Sequence, residues 1–366
     1  MQALGKKIII AGGGTGGHIF PAIAIANALV AQDPETQILF VGARGKMEME
    51  KVPEAGYEIE GISIAGLNRS SLFKNLSLPF KLLKSYFQVK KILKAFEPDA
   101  VVGVGGYSSL PVLKIAQQKG IPTFIHESNS FAGKANIFLG KKATRIFVAT
   151  AGMQKFFPVN KILITGNPVR KQIVNSTVTR AEAFAYFGLN ESLTTILVMG
   201  GSLGAKSIND AILEHLDQFE RRHLQLIWQT GKNNAERYMA AANGKQNVWI
   251  SEFIKDMEMA YAAADVVVSR AGAMAVTEIC IKAKPTVFVP FPLAAEDHQT
   301  HNAMALVNKE AALIVRDGDA KLQLASTCIQ LAKDIAMRTL FTKNCKSLAL
   351  KDADTVIANE ILSTIQ

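Results

Sequence analysis

The stretch IIIAGGGTGGHIFP at 8–21 constrains the fold more than any other. Three β-branched residues give way to five glycines within six positions, then to His18 and a run of small apolar residues. The reading is a buried strand, a tight turn and a helix. Glycines let the backbone approach a ligand, and amides at a helix start favour an anion such as phosphate. His18 sets an ionisable group beside that anion. The device recurs three times: AVVGV at 100–104 runs into Gly105, Gly106, Tyr107 and Ser108; TILVM at 195–199 into Gly200, Gly201, Ser202, Leu203, Gly204 and Ala205; and DVVVS at 265–269 into Arg270, Ala271 and Gly272.

Further strands are predicted at 37–41, 122–126, 145–149 and 162–165, and again at 225–229, 248–250 and 286–290. A helix is expected over 22–31, and short strands alternate with turns up to Gly66. Strands alternating with helices argue for an α/β fold with doubly wound parallel sheets. At 366 residues the chain has room for two such domains, expected at 1–166 and 167–350.

Hydrophobic residues make up 49% and charged ones 20%, which excludes a disordered chain. Cys280, Cys328 and Cys345 show no CxxC spacing, so neither a zinc site nor a disulfide framework is expected, and a reducing compartment fits. Lys6 and Lys7 precede an uncharged run lasting to Asp33, but glycines, His18 and Pro21 interrupt it, which argues against a signal peptide or a membrane span. A cytoplasmic protein, peripheral to a membrane at most, is expected.

The net charge of +10 implies an anionic partner. From 61 to 96 there is no acidic residue, while Arg69, Lys74, Lys81, Lys84, Lys90, Lys91 and Lys94 alternate with leucines and aromatics. Such a segment suits an anionic bilayer surface, and equally a core-packing helix with a lysine-rich outer face. A nucleic-acid binder is suggested by charge alone and lacks interspersed stacking platforms.

Gly12, Gly14 and Gly17 satisfy GxGxxG, the dinucleotide fingerprint, which expects a carboxylate at the end of the second strand. VGAR at 41–44 offers none there, although Arg44 leaves an NADP reading open. Arg270 stands at the carboxyl end of a strand, where open sheets take ligands. Glu278, six residues beyond Gly272, is placed to accept both hydrogen bonds of a ribose diol, although alone it reads as a solvated helix residue. The stretch EDHQTHN at 296–302 has poor spacing for a metal and reads as a polar loop opening a helix. Its Gln299 and Asn302 suit sugar hydroxyls. His126 and Glu127 are a supporting pair or a strand end, and His215 and His223 read as solvated.

In order, GGGTGGHIFPAIAIA, GGYSSLP, HESN, GNPVR, GGSLGA, SRAGAMAVTE and DHQTHNA span 8–302. Together they resemble the MurG family of lipid II-forming glycosyltransferases. The resemblance implies a GT-B fold, two Rossmann-like domains facing a deep cleft, with 351–366 crossing back to the first. It implies inverting transfer of GlcNAc from UDP-GlcNAc to the 4-hydroxyl of MurNAc in lipid I, with neither cofactor nor metal.

By motif, the resemblance assigns the UDP-sugar to Arg170, Ser202, Ile254, Ala273, Met274, Ala275, Val276, Thr277, Glu278 and Gln299. Thr15, Gly16, Gly17 and Asn129 face it from the first domain. Gly13, Gly14, Gly105, Gly106, Tyr107 and Ser108 are assigned the acceptor diphosphate. His18 is the candidate base; orienting its loop or binding diphosphate is its alternative role. Lipid I lies in the bilayer, which favours the membrane reading of 69–94 and a place on the cytoplasmic face, without nucleic acid. Ser128 and Leu203 stand where many members carry Gln. Another GT-B enzyme, such as a UDP-GlcNAc 2-epimerase, is the rival reading.

Overall fold

In the computed structural model, which describes residues 5–64, 78–201 and 203–365, the isoleucine run becomes the middle of a parallel sheet. Strand β1 (Lys7–Ala11) lies between β2 (Gln37–Ala43) and β4 (Ala100–Gly103), so Ile8, Ile9 and Ile10 are buried on both faces. A strand so placed needs no polar alternation, which is why the run is continuously apolar. With β3 (Glu58–Ile62), β5 (Thr123–Glu127), β6 (Arg145–Val148) and β7 (Ile162–Ile164), the order is β3-β2-β1-β4-β5-β6-β7.

The second sheet repeats this plan. Strands β8 (Thr194–Met199), β9 (Leu224–Gln229), β10 (Val248–Ser251), β11 (Val266–Ser269), β12 (Thr286–Phe288) and β13 (Leu313–Ile314) run in the order β10-β9-β8-β11-β12-β13, all parallel. In both sheets the chain steps outward from the first strand, returns, and steps the other way. The order reverses beside β1 and β4 in one sheet and beside β8 and β11 in the other. Open α/β sheets take ligands at the carboxyl ends of such strands. All four glycine turns leave from those four ends.

The chain divides into two compact units, Met1–Val169 with Leu350–Gln366, and Arg170–Ala349. The last helix, Ala353–Thr364, belongs to the first unit, where Ile357, Ala358 and Ile361 are wholly buried against helix Gly16–Gln32 and the sheet. Arg145 clamps it through Glu360 at 2.7 Å. Among the described residues, no helix is long and apolar enough to cross a membrane.

The first helix begins at Gly16, earlier than the expected 22, so the glycine turn forms its opening. Pro21 removes the bond to the carbonyl of Gly17. Burial of Ile19, Ala22, Ile25, Ala26 and Leu29 holds the helix together regardless.

His126 lies in β5 at 0% exposure. Among the described residues neither ring nitrogen has a well-aligned hydrogen-bond partner, although Gly166 and Asn167 lie within reach. Burial lowers its pKa to about 4, with nearby Gly166 and Asn167 acting the other way. The unfolded chain therefore binds the proton more readily than the folded one, and stability falls as pH drops below about 6.5. The loss accumulates to roughly 3 kcal/mol as the pH passes down to about 4. Urea unfolding between pH 7 and pH 4 measures it, and His126→Leu, which removes the titrating group, is expected to flatten that limb.

Candidate active site

The turns after β1 and β4 lie against each other. Gly13 N–H donates to Gly105 O at 3.3 Å, and a Cβ on Gly106 would stand 2.5 Å from the carbonyl oxygen of Gly13. Gly106 also has φ +83°, so the sequence needs glycine there on both counts. His18 follows in the first turn of helix Gly16–Gln32, and its ring packs on Gly105. Its Nδ1 lies 3.1 Å from Gly13 O and 3.4 Å from Thr15 Oγ1.

The amides of this loop are unequal. Gly12 N–H donates to Val41 O, Gly13 N–H to Gly105 O, and Gly14 N–H to Glu48 Oε2 at 2.8 Å. An anion arriving at Gly14 meets a carboxylate. This corrects the assignment of the acceptor diphosphate to Gly13 and Gly14. Gly16 and Gly17, at the first helical positions, have no intrahelical acceptor and form the remaining cradle. Tyr107, whose ring lies by Gly14, is half-buried, its hydroxyl pKa raised by burial and by the charge of Glu48, whereas Ser108 is 1% exposed and offers no open side chain.

Glu127 ends β5 and anchors the loop after it. Its Oε1 accepts from Asn129 N at 3.1 Å and Nδ2 at 3.2 Å, and its Oε2 from Gly133 N at 3.0 Å and Asn136 Nδ2 at 2.9 Å. So of the His126–Glu127 pair, one residue is core and the other holds Asn129 in place.

In the second unit, helix Ala273–Ile281 starts at Gly272, and its first intrahelical bond runs from Val276 N to Gly272 O. The amides of Ala273, Met274 and Ala275 therefore open on the carboxyl edge of β11 as a second anion cradle. Val276 is buried, and Thr277 returns its hydroxyl to Ala273 O at 2.9 Å. Glu278 is not solvated: it is 8% exposed, with Oε1 on Arg170 Nη2 and Oε2 on Tyr261 Oη, each at 3.2 Å. Burial raises its pKa, opposed by Arg170 and Tyr261, and the same burial and the Glu278 charge push the Tyr261 hydroxyl well above its usual range. A carboxylate accepts about four hydrogen bonds, so acceptor capacity remains.

Gln299 turns its Oε1 to Ala271 N at 3.2 Å and Phe291 N at 3.0 Å, so its amide nitrogen is the group left for a ligand. Asn302 is buried and donates to Ala271 O, which argues against the expected sugar contact. Ile254 is 2% exposed, so its side chain is part of the core. Leu203 is 65% exposed, and Ser202 lies outside the described residues.

Arg270 departs from the expectation of a ligand contact. It donates to Val289 O, Pro290 O and Ser207 Oγ and pairs with Asp317, tying three loops together. Among the described residues, no three His, Cys, Asp or Glu side chains converge as metal ligands do. Sequence reasoning passed over Glu48 and Tyr261, whose partners lie 34 and 17 residues away in the chain. The one available signal was Glu48 itself, a carboxylate a few residues past the strand end where the dinucleotide pattern looks for one.

Helix Leu78–Phe96 presents two apolar faces. Ser85, Val89 and Leu93 are buried against the core, while Phe80 (78% exposed), Leu83 and Phe87 line the outer face at i, i+3, i+7. Lys84, Lys90, Lys91 and Lys94 are exposed around them. Core packing accounts for the first face and not the second. Arg69 and Lys74 fall outside the described residues, as does the side chain of Lys81.

Comparison with known proteins agrees with this geometry. The glycosyltransferase family 28 N-terminal domain matches residues 8–148 and its C-terminal domain residues 195–358. A Phocaeicola vulgatus protein named UDP-N-acetylglucosamine–N-acetylmuramyl-(pentapeptide) pyrophosphoryl-undecaprenol N-acetylglucosamine transferase is 50% identical over 358 residues, covering 97% of this chain and 95% of its own. The Bacteroides fragilis protein of the same name is 48% identical, with 98% and 96% covered. The crystal structure of Acinetobacter baumannii MurG superposes with a TM-score of 0.77 at 30% identity, covering 98% of this chain and 99% of that one. The chain belongs to the MurG family of glycosyltransferases, two parallel-sheet domains of the GT-B class.

Proposed function

We infer that this chain transfers N-acetylglucosamine from UDP-GlcNAc to the muramyl sugar of lipid I, forming lipid II for peptidoglycan. The observation that carries the reading is 50% identity over 97% of the chain to a transferase of that name. The topology within each unit supports it, since each offers helix-start amides at a reversal of its own sheet order.

In this reading the 4-hydroxyl of the acceptor attacks the anomeric carbon in line with the departing UDP. The new C–O bond forms as the bond to the diphosphate oxygen breaks, and the configuration inverts. Negative charge grows on UDP, where the amides of Ala273, Met274 and Ala275 and the guanidinium of Arg170 stabilise it. Arg170 keeps N–H groups beyond the one it gives to Glu278. Glu278 accepts from the ribose diol, and Gln299 donates through its amide nitrogen. The acceptor diphosphate lies on Gly16 and Gly17 beside Tyr107, and Asn129 orients a sugar.

His18 is the base. Gly13 O can only accept, so the proton of a neutral imidazole sits on Nδ1, and Nε2 is the nitrogen that takes the hydroxyl proton. The outer face of helix Leu78–Phe96 rests on the anionic surface that holds lipid I, on the cytoplasmic side. A contribution to cell shape and division follows from the product.

UDP release from UDP-GlcNAc is expected only with a lipid I analogue present, and is expected to survive EDTA. Release without acceptor would favour an epimerase. In the same assay His18→Ala is expected to lower turnover by roughly 10²–10⁴-fold with UDP affinity unchanged. Near-normal turnover would remove the base assignment.

Glu278→Ala leaves Arg170 and Tyr261 without their shared acceptor and takes away the diol contact. Calorimetry is expected to show UDP binding weakened by about tenfold or more. Unchanged affinity would refute the contact.

Phe80→Ser combined with Phe87→Ser removes exposed apolar area without touching the core face. Co-sedimentation with phosphatidylglycerol vesicles is expected to fall severalfold, while turnover on a short-chain soluble acceptor stays normal. Equal sedimentation of both proteins would count against the membrane face.

A further inference from the structure

We propose that Glu48 is a positioning residue that fixes the first glycine turn and, through it, the tautomer and orientation of the His18 ring. Glu48 opens helix Glu48–Glu54 and is 1% exposed. Its Oε2 accepts from Gly14 N at 2.8 Å and its Oε1 from Ala43 N at 3.0 Å. One carboxylate thus joins the end of β2 to the turn after β1. The fit is close: a Cβ on Gly13 would stand 2.4 Å from the carboxyl carbon, and one on Gly42 2.5 Å from Cγ.

The next link runs through Gly13. Its carbonyl accepts from His18 Nδ1 at 3.1 Å, and that contact decides which ring nitrogen carries the proton. If the turn shifts, Gly13 O moves off Nδ1 and the tautomer preference goes with it. Glu48 touches neither substrate nor the ring.

Charge as well as shape selects glutamate here. Two amide donors converge on the group, and a carboxylate meets both with an oxygen. Glutamine would turn its –NH₂ toward one of them, donor against donor, inside a buried site. Of the other titratable groups near this turn, His126 in β5 lies close enough to His18 for their charges to interact, and the Tyr107 hydroxyl feels the charge of Glu48.

The functional consequence rests on the reading of His18 as base, whereas the positioning role does not, and the two are tested apart. The full-length chain is labelled with ¹⁵N-histidine, and the His18 signals are identified by their loss in His18→Ala. The wild-type protein is expected to show the Nδ1–H tautomer. Glu48→Gln is expected to show mixed tautomers and turnover reduced about tenfold or more. UDP affinity, a property of the other unit, is expected to stay unchanged, and a circular dichroism spectrum and melting transition like those of the wild type report that the first unit is folded.

Glu48→Asp keeps the charge but is one methylene short. It is expected to disturb the tautomer as well, and it serves if the glutamine variant does not fold. A His18 tautomer indifferent to both substitutions would overturn the proposal. If the signals move as expected while His18→Ala turns over normally, the base assignment fails and the positioning role stands.

Discussion

Backbone meets backbone between the turns after β1 and β4, and no side chain fits in that contact. Gly12 and Gly106 are glycines because anything larger would part the turns: a Cβ on Gly12 would stand 2.6 Å from the carbonyl oxygen of Gly105, and one on Gly106 2.5 Å from that of Gly13. His18 takes its proton placement from Gly13 O, Tyr107 leaves directly from Gly106, and Glu48 holds the other side of the same turn. The parallel sheet supplies the fixed frame: β1 and β4 are adjacent and in register, Ala11 opposite Gly103, so their loops emerge side by side. Neighbouring strand ends and small residues suffice to produce the contact.

The same strand order serves a different purpose in the second unit. There the helix after β11 offers three amides, while its own Glu278 lies buried on a tyrosine and an arginine. Removing a carboxylate from water is costly, and the cost is offset here by the Arg170 and Tyr261 donors rather than by solvent. An acceptor held in that way is already desolvated and oriented before any ligand arrives. Arg270, on the adjoining loop, carries a full charge but has both terminal nitrogens of its guanidinium engaged by loop carbonyls, Ser207 and Asp317. Two charged residues eight positions apart thus differ in what they do: Glu278 is held by Arg170 and Tyr261, and Arg270 holds the loops around it.

That division was only partly legible in the sequence. Strands ending in glycine turns announced the α/β plan, because β-branched runs and glycine clusters act through local backbone preference. The start of the first helix was misplaced, since glycine and Pro21 argue against helix locally and packing of Ile19, Ile25 and Leu29 overrides them. Glu278 read as solvated because Arg170 stands 108 residues away and Tyr261 on a separate helix. Gln299 and Asn302 were recognisable as polar residues near a site. Which of their atoms were already bonded to Ala271 depends on the fold of that loop and on no pattern in the chain.

Glu48 shows why a strand-end pattern misleads in this chain. The dinucleotide fingerprint seeks a carboxylate at the tip of β2 to hold a ribose, and its absence from VGAR counts against a nucleotide in the first unit. A carboxylate is nevertheless present, delivered from the helix that follows and turned back onto Gly14. It occupies the amide that a dinucleotide's pyrophosphate would need, and its charge repels such a ligand from that end of the turn. The fold keeps the geometry of a nucleotide-binding turn while its first amides are already engaged, and only those of Gly16 and Gly17 lack an intrahelical acceptor. Topology fixes where an anion can be received, and one buried side chain determines which amides receive it.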